Sequence, residues 1–341
     1  MRRIALVLAV VVLADVGLAG RRVEFVKGKD KVDVKIGGEL FASYVYGDGL
    51  AKPVLVPLRS VSGIEVTRRW PLTELEGGSM DHTHHVGLFF CVDKVNGTNF
   101  WNYYRNPGGK EPKIKHVRFE RKGGGDGRGR LRTVAHWIDK RGDFLLEEKR
   151  SMTFIAGERE GEYAIDFELD LTAQKQTVVF EDIEEGVLAI RLSDYLREGK
   201  RSLALHKGEE PPKEDVSGTG RYFSSSADET AKNVWGKRHR WVALQGVRKG
   251  KVVGVAILNH PASINYPTYW HVRDYGLMSA NPLGQGDFQR QWPRDYRKNK
   301  VLPLRLTLEA GETAHFRFEV IVYEGVRTQE QIEERFREFV G

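Results

Sequence analysis

The chain has 341 residues, with 54 Lys and Arg against 47 Asp and Glu, so its formal net charge is only +7. Acidic and basic residues are interleaved along it, and no basic helix or known binding module is present, so we expect no nucleic-acid partner. The stretch 118–132, rich in Arg and Gly, is interpreted as a solvated turn, with an anionic partner as the alternative. Cys91 is the only cysteine, which excludes an internal disulfide.

The first 19 residues have the pattern of a secretory signal peptide. Arg2 and Arg3 precede an apolar run at 4–14, and the small residues Gly17 and Ala19 define a cleavage site. A run of this length is too short to span a bilayer. The sequence therefore predicts an exported protein, periplasmic or extracellular, with a signal peptide at 1–19, one domain at 20–341 and no integral membrane segment after cleavage. A membrane-tethered N-terminus is the alternative.

Short runs of alternating apolar and polar residues recur along the chain, which is the period of half-buried strands. Turn-forming glycines separate many of them, as in antiparallel hairpins. Only 328–340 has a helical pattern, with Thr328 and Gln331 as a capping box, and 207–233 is interpreted as a long loop. The patterns predict an all-β protein, a large antiparallel β-sandwich with a short C-terminal helix. The predicted strands are 23–26, 32–36, 40–45, 64–66, 86–90, 145–154, 163–171, 177–180, 187–192, 241–244, 252–259, 302–308 and 314–323.

The motif DHTHH at 81–85 is the most unusual chemical feature of the sequence. On a strand, His82 and His84 would point to one face, and Asp81 and His85 to the other. Two histidines two residues apart can bind one metal ion, with a third ligand from elsewhere in the chain. The alternative is that these histidines only form hydrogen bonds at a loop or sheet edge.

Aromatic and amide side chains follow at 96–102, where Trp101 and Asn102 could contact a sugar. An aromatic ring stacks on the apolar face of a pyranose while amides bind its hydroxyl groups, as convergent polar groups do in pockets generally. The alternative is that Trp101 belongs to the core.

A second group of titratable and aromatic residues lies at 259–282. Here His271 is a candidate general base or metal ligand, Asp274 its orienting carboxylate or an acid, and Arg273 a clamp for a carboxylate or oxyanion. The alternative is an ordinary ion pair between Arg273 and Asp274, with Trp270 in the core. The sequence leaves open whether this segment meets the histidine motif in space.

The acidic run 181–186 precedes a buried strand, so its carboxylates, Glu185 among them, could reach a cleft at one end of a sandwich. Two carboxylates there could serve as acid and base, although a solvated turn is the alternative. No GxSxG, GxxxxGK, HExxH or CxxC motif is present, which disfavours serine hydrolases, kinases and thiol redox proteins.

Four segments together resemble the PmoA-like family of exported bacterial proteins: DHTHHVGL at 81–88, Asn96-Gly97 with Phe100-Trp101, Glu185-Gly186, and PTYWHVRDYGL at 267–277 with Asn281-Pro282. The family's name comes from a subunit of the particulate methane monooxygenase, an integral membrane protein. Because this chain has no spanning segment, we expect the name to be a misattribution. Members look like β-sandwich proteins of bacteria rich in polysaccharide-degrading systems, so the resemblance implies carbohydrate by association. Members often have Pro at Thr83 and Arg at Val86, so an anion-binding role of that arginine would be lost here.

The leading hypothesis is an enzyme that acts on a sugar or an oxidised sugar as a hydrolase, lyase or epimerase. The alternatives are a non-catalytic carbohydrate-binding sandwich and a metal-dependent oxygenase, as the family name suggests. A carbohydrate or small molecule is the expected partner, a divalent metal is the one cofactor considered, and a mutarotase-like super-sandwich is one expected form of the fold. The predicted catalytic residues are His84, His85, His271, Asp274 and Glu185; the predicted substrate-binding residues are Asp81, Trp101, Asn102, His260, Trp270, Arg273, Tyr275 and Asn281; the predicted metal ligands are His82 and His84.

Overall fold

The structure, a computed structural model, describes residues 20–74, 78–105, 111–156, 159–199, 218–291 and 301–341. The predicted signal peptide and the first part of the predicted loop at 207–233 lie outside these ranges. The strands are β1 Arg22–Lys27, β2 Lys31–Ile36, β3 Glu39–Val45, β4 Val54–Leu58, β5 Leu88–Val92, β6 Lys94–Val95, β7 Thr98–Asn99, β8 Lys113–Gly123, β9 Gly125–Asp126, β10 Arg128–Ile138, β11 Phe144–Ile155, β12 Glu162–Ala173, β13 Val178–Val179, β14 Gly186–Arg191, β15 Arg221–Ser224, β16 Arg238–His239, β17 Trp241–Arg248, β18 Lys251–Asn259, β19 Thr268–Arg273, β20 Leu277–Asn281, β21 Thr307–Leu308 and β22 Thr313–Glu324. The helices are α1 Ala231–Val234, α2 Gln285–Gln291 and α3 Gln329–Val340, and a 3-10 turn covers Asp194–Leu196.

Two large antiparallel sheets face each other. Within the described ranges, one has ten strands in the order β16-β19-β20-β14-β5-β4-β3-β2-β1-β9, and the other has eight in the order β15-β17-β18-β22-β12-β11-β10-β8. Phe90 of β5 joins their inner faces, because its ring lies 6.3 Å from that of Trp137 in β10 and 5.7 Å from that of Phe316 in β22. The predicted all-β sandwich is therefore confirmed.

The strand register decides which side chains the ten-stranded sheet presents on its outer face, away from the second sheet. Because successive side chains alternate, Phe89 is an outer residue when Phe90 is an inner one. Phe89 pairs with Ala189, Ala189 with Ser279, and Ser279 with His271, so these four form one outer row across four strands. The next outer row holds Arg191, Leu277 and Arg273. Polar and titratable groups are thereby collected on one surface of the sheet.

The C-terminal helix α3 forms as predicted and covers the outer face of the eight-stranded sheet. Thr328 and Gln331 make the reciprocal capping-box bonds. The stripe of Ile332, Phe336 and Phe339 is buried in one apolar cluster with residues of β17 and β22. No helix in the described part of the chain is long and apolar enough to cross a membrane.

Several local predictions were wrong. The stretch 118–132 belongs to the long hairpin of β8 and β10 and is not simply a turn. Strand β10 pairs with both β8 and β11, and these pairings satisfy the backbone hydrogen bonds of a Gly-rich sequence that has little strand preference of its own. Of 302–308, only Thr307–Leu308 is a strand, and 64–66 forms a single isolated bridge, between Glu65 and Arg59. Within 207–233, β15 and α1 form, and α2 is a further helix that the sequence patterns did not indicate.

Candidate functional site

The histidine motif lies in a loop and not on a strand, and Arg68 gives that loop its shape. His82 has a positive φ of 43°, which no strand residue adopts. The Arg68 guanidinium is 4% exposed and donates to the backbone carbonyls of Asp81 (2.7 Å), His82 (2.8 Å) and His85 (2.9 Å). The predicted alternation of the histidines between two faces is therefore wrong, because the carbonyls converge on one cation.

Asp81 joins this loop to the sheet below it. Its carboxylate accepts from Arg68 (2.8 Å), from Arg191 (2.9 Å) and from Nδ1 of His82 (2.7 Å). Burial alone would raise the pKa of Asp81, but the His82 hydrogen bond and the two guanidiniums outweigh it and hold that pKa well below its usual range. Asp81 therefore stays ionised, and its carboxylate positions Arg68, Arg191 and His82 relative to one another.

The two histidine-bearing segments meet through Tyr275. The ring of Tyr275 stacks on that of His82, with centroids 4.9 Å apart, and His82 stacks on His85 at 5.1 Å. The guanidinium of Arg191 lies over the Tyr275 ring at 4.4 Å from its centroid. The structure thus brings the motif at 81–85 and the hairpin of β19 and β20 into one site.

His84 and His85 are held in the neutral form. Burial, followed by the nearby Lys52 and His82, lowers the pKa of His84 to about 3. Burial, followed by His84, holds the pKa of His85 well below its usual range. His85 is 3% exposed, and neither of its ring nitrogens has a hydrogen-bond partner among the described residues. Two unsatisfied ring nitrogens in a buried position are costly and are typical of a functional group.

His271 is fixed in one tautomer by the backbone. Its Nδ1 lies 3.1 Å from the carbonyl oxygen of Glu184, and because a carbonyl can only accept, Nδ1 carries the hydrogen. Burial, and then the charge of Arg273, lowers the pKa of His271 to about 3. Its Nε2 therefore carries a lone pair that can accept a hydrogen bond. This atom is buried and has no partner among the described residues. The predicted orienting role of Asp274 was wrong: Asp274 is exposed in the turn between β19 and β20.

Glu184 and Glu185 directly precede β14, and Glu184 lies beside Arg273. The Arg273 guanidinium lies 3.2 Å from the Glu184 carboxylate. Burial, and then the charges of Glu184 and Asp93, raises the pKa of Glu185 to about 7. Asp287 of α2 accepts from the Glu184 amide at 3.0 Å and fixes this segment. The acidic run is therefore not a solvated turn, and Glu185 can gain or lose a proton near neutral pH.

The other residues predicted to bind substrate have different surroundings. Trp101 and Trp270 are 1% and 0% exposed, so neither indole offers an open ring face for stacking. Asn281 is fully buried and donates to the carbonyls of Ile183 and Glu184, which makes it a support for the acidic segment. The Asn102 side chain is exposed. His260 lies elsewhere, since its ring packs on Phe339 of α3 at 5.1 Å.

Sequence reasoning missed three cations of the site. Arg191 occurs singly among apolar residues and Arg68 is followed directly by Arg69, and only their shared contact with Asp81 identifies Arg68 and Arg191. Lys52 is 1% exposed, and its ammonium donates to the carbonyls of Trp101 (2.7 Å) and Tyr103 (2.9 Å) beneath the histidines. No pattern in the sequence distinguishes these three from surface cations.

Unpartnered buried polar atoms concentrate here. Eight such side-chain atoms in the described part of the chain belong to six residues of this site: Nε of Arg68, both ring nitrogens of His85, Oδ1 of Asp93, Oε2 of Glu184, Nε and Nη1 of Arg191, and Nε2 of His271. Buried polar groups normally have partners, and exceptions call for a ligand, water or catalytic explanation. The concentration marks this face as the candidate site.

The predicted metal ligands His82 and His84 are neighbours, with ring centroids 5.9 Å apart. Among the residues that the structure describes, no group of three or more His, Cys, Asp or Glu side chains is arranged to hold a metal ion. Metal binding at this pair therefore remains a prediction without a third ligand in the described ranges.

Solved structures that are similar to this chain include three with low identity. A putative kojibiose phosphorylase from human microbiome is 10% identical, with a TM-score of 0.34, over 94% of this chain and 33% of that one. The galactosidase domain of an alpha-galactosidase-sucrose kinase is 12% identical, with a TM-score of 0.27, over 79% and 30%. A galactose mutarotase related enzyme from Lactobacillus acidophilus is 10% identical, with a TM-score of 0.29, over 90% and 98%. The chain spans about one third of the length of the first two, and at these TM-scores the similarities carry no argument about activity.

A comparison with curated proteins finds no match. The family comparison does find one, and it extends over most of the chain, as the sequence resemblance does. The PmoA-like label itself remains a prediction, since the matching family does not carry that name. Its model matches residues 31–337, and the chain therefore belongs to this family, described as a family of unknown function (DUF6807).

Proposed function

We propose that this protein is an acid–base enzyme that acts on a sugar or an oxidised sugar as a lyase or epimerase, at the outer face of the ten-stranded sheet. The observation that carries the proposal is Glu185, a carboxyl with a pKa of about 7, beside buried polar atoms that have no partner. Groups whose pKa values are strongly shifted by their surroundings cluster at catalytic sites. Export, with a mature chain that begins near Gly20, is part of the proposal.

The chemistry starts with Glu185 as a carboxylate base. It removes a proton from a carbon next to a carbonyl group; the C–H electron pair forms a C=C bond, and the carbonyl π pair moves onto oxygen. Arg273 stabilises that oxyanion, and Nε2 of His271 accepts a hydrogen bond from a hydroxyl group of the ligand. Delivery of a proton from water to the opposite face of the enolate gives an epimer, and the removed proton passes from Glu185 to solvent. Alternatively, the carbonyl re-forms and the leaving group departs from the next carbon with its bonding electron pair and the proton held by Glu185, which gives an unsaturated product.

The test is a panel of hexoses, uronic acids and keto sugars incubated with the protein in D2O. Proton NMR detects deuterium at the carbon next to the carbonyl, new epimers and unsaturated products. We expect turnover of at least one class, and a loss of about 10- to 10³-fold in kcat/KM in His271→Ala, since an acceptor that holds the ligand in the transition state is removed.

The matched control is His315→Ala, since His315 is half-exposed and pairs with Asp170 at 2.7 Å on the eight-stranded sheet. Its activity should stay within about twofold of wild type. Equal activity in His271→Ala and wild type would remove His271 from the site. Saturable sugar binding with no product from any class would replace the enzyme with the non-catalytic binding alternative.

A further inference from the structure

The charge of this protein is concentrated in one hairpin. Residues 113–132 contain eight Lys and Arg and two Asp and Glu, whereas the whole chain has 54 and 47. The other 321 residues therefore hold 46 basic and 45 acidic residues and are almost neutral. Although acidic and basic residues are interleaved along the chain, almost all of its net positive charge lies in this hairpin.

Two β-bulges place the basic residues of β8 on one face. Register shifts relative to β10 occur between Arg132 and Thr133 and between Val134 and Ala135. Without them, the odd spacing from 115 to 118 and from 118 to 121 would turn successive cations to opposite faces. Because bulges re-aim side chains, the outer face of β8 carries four cations in a row: Lys113, Lys115, Arg118 and Arg121.

Strand β10 extends this row. Its outer residues Arg128, Arg130 and Arg132 alternate with Gly129 and Leu131, which are buried. The inner face of the hairpin is identified by Phe119, whose ring packs on Tyr46 at 5.3 Å. We call the seven outer cations of β8 and β10 the basic strip.

The protection of an exposed edge strand does not explain the basic strip. Charged side chains on an edge strand block pairing with other chains, which suffices for β8. Strand β10, however, is paired on both sides, with β8 and β11, and has no free edge. Arg121 and Arg132 are directly opposite each other and form no ion pair in the described part of the chain. Like charges in that position destabilise a sheet, so the arrangement opposes folding and favours an anionic partner.

We propose that the basic strip binds an acidic polysaccharide. The cations are spaced along two strands and do not converge, so they fit a linear polyanion and not a small anion. The seven residues of the strip carry no aromatic ring, Phe119 and Trp137 face inward, and the outward ring of His136 is already stacked on Phe144 at 3.9 Å, so the strip offers little surface on which nucleic-acid bases could stack. The choice of a polysaccharide over other polyanions rests on the proposed function.

The experiment measures binding of polygalacturonate to the full chain at about 50 mM salt, with dextran as a neutral polymer. We expect saturable binding to polygalacturonate alone, lost at about 0.5 M salt because surface charges are then screened. Arg121→Glu should weaken it on the order of tenfold, as expected for reversing one charge near an anionic surface. The same variant should unfold at a higher temperature, since Glu faces Arg132 where Arg did before.

The matched control is Lys232→Glu, an exposed position on α1 at the opposite edge of the sandwich, which should change the affinity less than twofold. An affinity that is unchanged in Arg121→Glu, or equally reduced in the control, overturns the proposal. Tighter binding to duplex DNA or to anionic lipid vesicles overturns the choice of polysaccharide. Polymer binding without turnover of small sugars would leave this inference intact and refute only the proposed function.

Discussion

Replacement of Glu185 by glutamine is expected to lower kcat/KM by about 10²- to 10⁴-fold, the usual contribution of a positioned acid or base. Glutamine keeps the shape of the side chain but cannot accept the proton. Because the pKa of Glu185 is raised to about 7, only its carboxylate form acts as the base. The wild-type kcat/KM should therefore increase with pH up to about 7 and then level off, and a pH profile of the variant should lack that rise.

The same substitution should stabilise the protein at high pH. The folded-state pKa of Glu185 is above its ordinary value of 4.5, so the stability present at low pH is lost as the pH rises through about 7. The neutral glutamine is not repelled by the carboxylates of Glu184 and Asp93, whereas the ionised Glu185 is. Allowing for solvent screening of this partly exposed group, we expect about 1 kcal/mol more unfolding free energy than wild type at pH 8, and no difference at pH 4.

Urea unfolding at both pH values measures this difference, and Glu168→Gln on β12 is the control, since its side chain is 39% exposed. That variant should leave the pH profile and the stability unchanged within about 0.5 kcal/mol. A Glu185→Gln enzyme with normal activity and an unchanged pH profile would falsify the assignment of the base.

The fold was predictable where one face of an element is buried. The alternation at 163–171 predicted the middle of β12 because its inner side chains pack on the other sheet, and the apolar stripe at 328–340 predicted α3 in the same way. The hairpin of β8 and β10 was not predictable, because charged residues dominate its outer face and a glycine, Gly129, stands among the buried residues of β10. Its strands pair residues that are 7 to 25 positions apart, and local propensity does not contain this information.

The site was predictable in part, for a chemical reason. Histidine and carboxylate clusters are visible in the sequence because several titratable side chains stand close together in the chain, so the motif at 81–85, the run that contains Glu185 and the segment that contains His271 were singled out. The positions of these residues were not predictable, because the loop is shaped by Arg68 and Arg191, whose shared contact with Asp81 is visible only in the folded structure. Trp101 and Trp270 were predicted to bind substrate, but both are core residues whose rings fill volume under the site.

Loss of the Arg68 guanidinium is expected to cost about 3–5 kcal/mol of unfolding free energy, the range for breaking a buried ion pair from one side. In Arg68→Met the apolar stem is kept. The carboxylate of Asp81 loses one of its two arginines, and three carbonyls of the histidine loop, that of His85 buried, lose their shared donor. Urea unfolding at pH 7 measures the change, and Arg68→Lys should restore only part of it, since an ammonium lacks the planar fork.

The location of the effect separates loop disruption from general instability. The Gly87 amide donates to the Arg68 carbonyl at 3.2 Å, and the His85 amide to that of His82 at 2.9 Å. Hydrogen exchange at these amides should therefore accelerate more in Arg68→Met than exchange in β12, which lies in the other sheet. Arg22→Met, at a side chain that is 64% exposed, should change the unfolding free energy by less than about 0.5 kcal/mol. If Arg68→Met loses less than about 1 kcal/mol and the loop amides stay protected, the histidine loop is held by other contacts, and Arg68 does not organise the site.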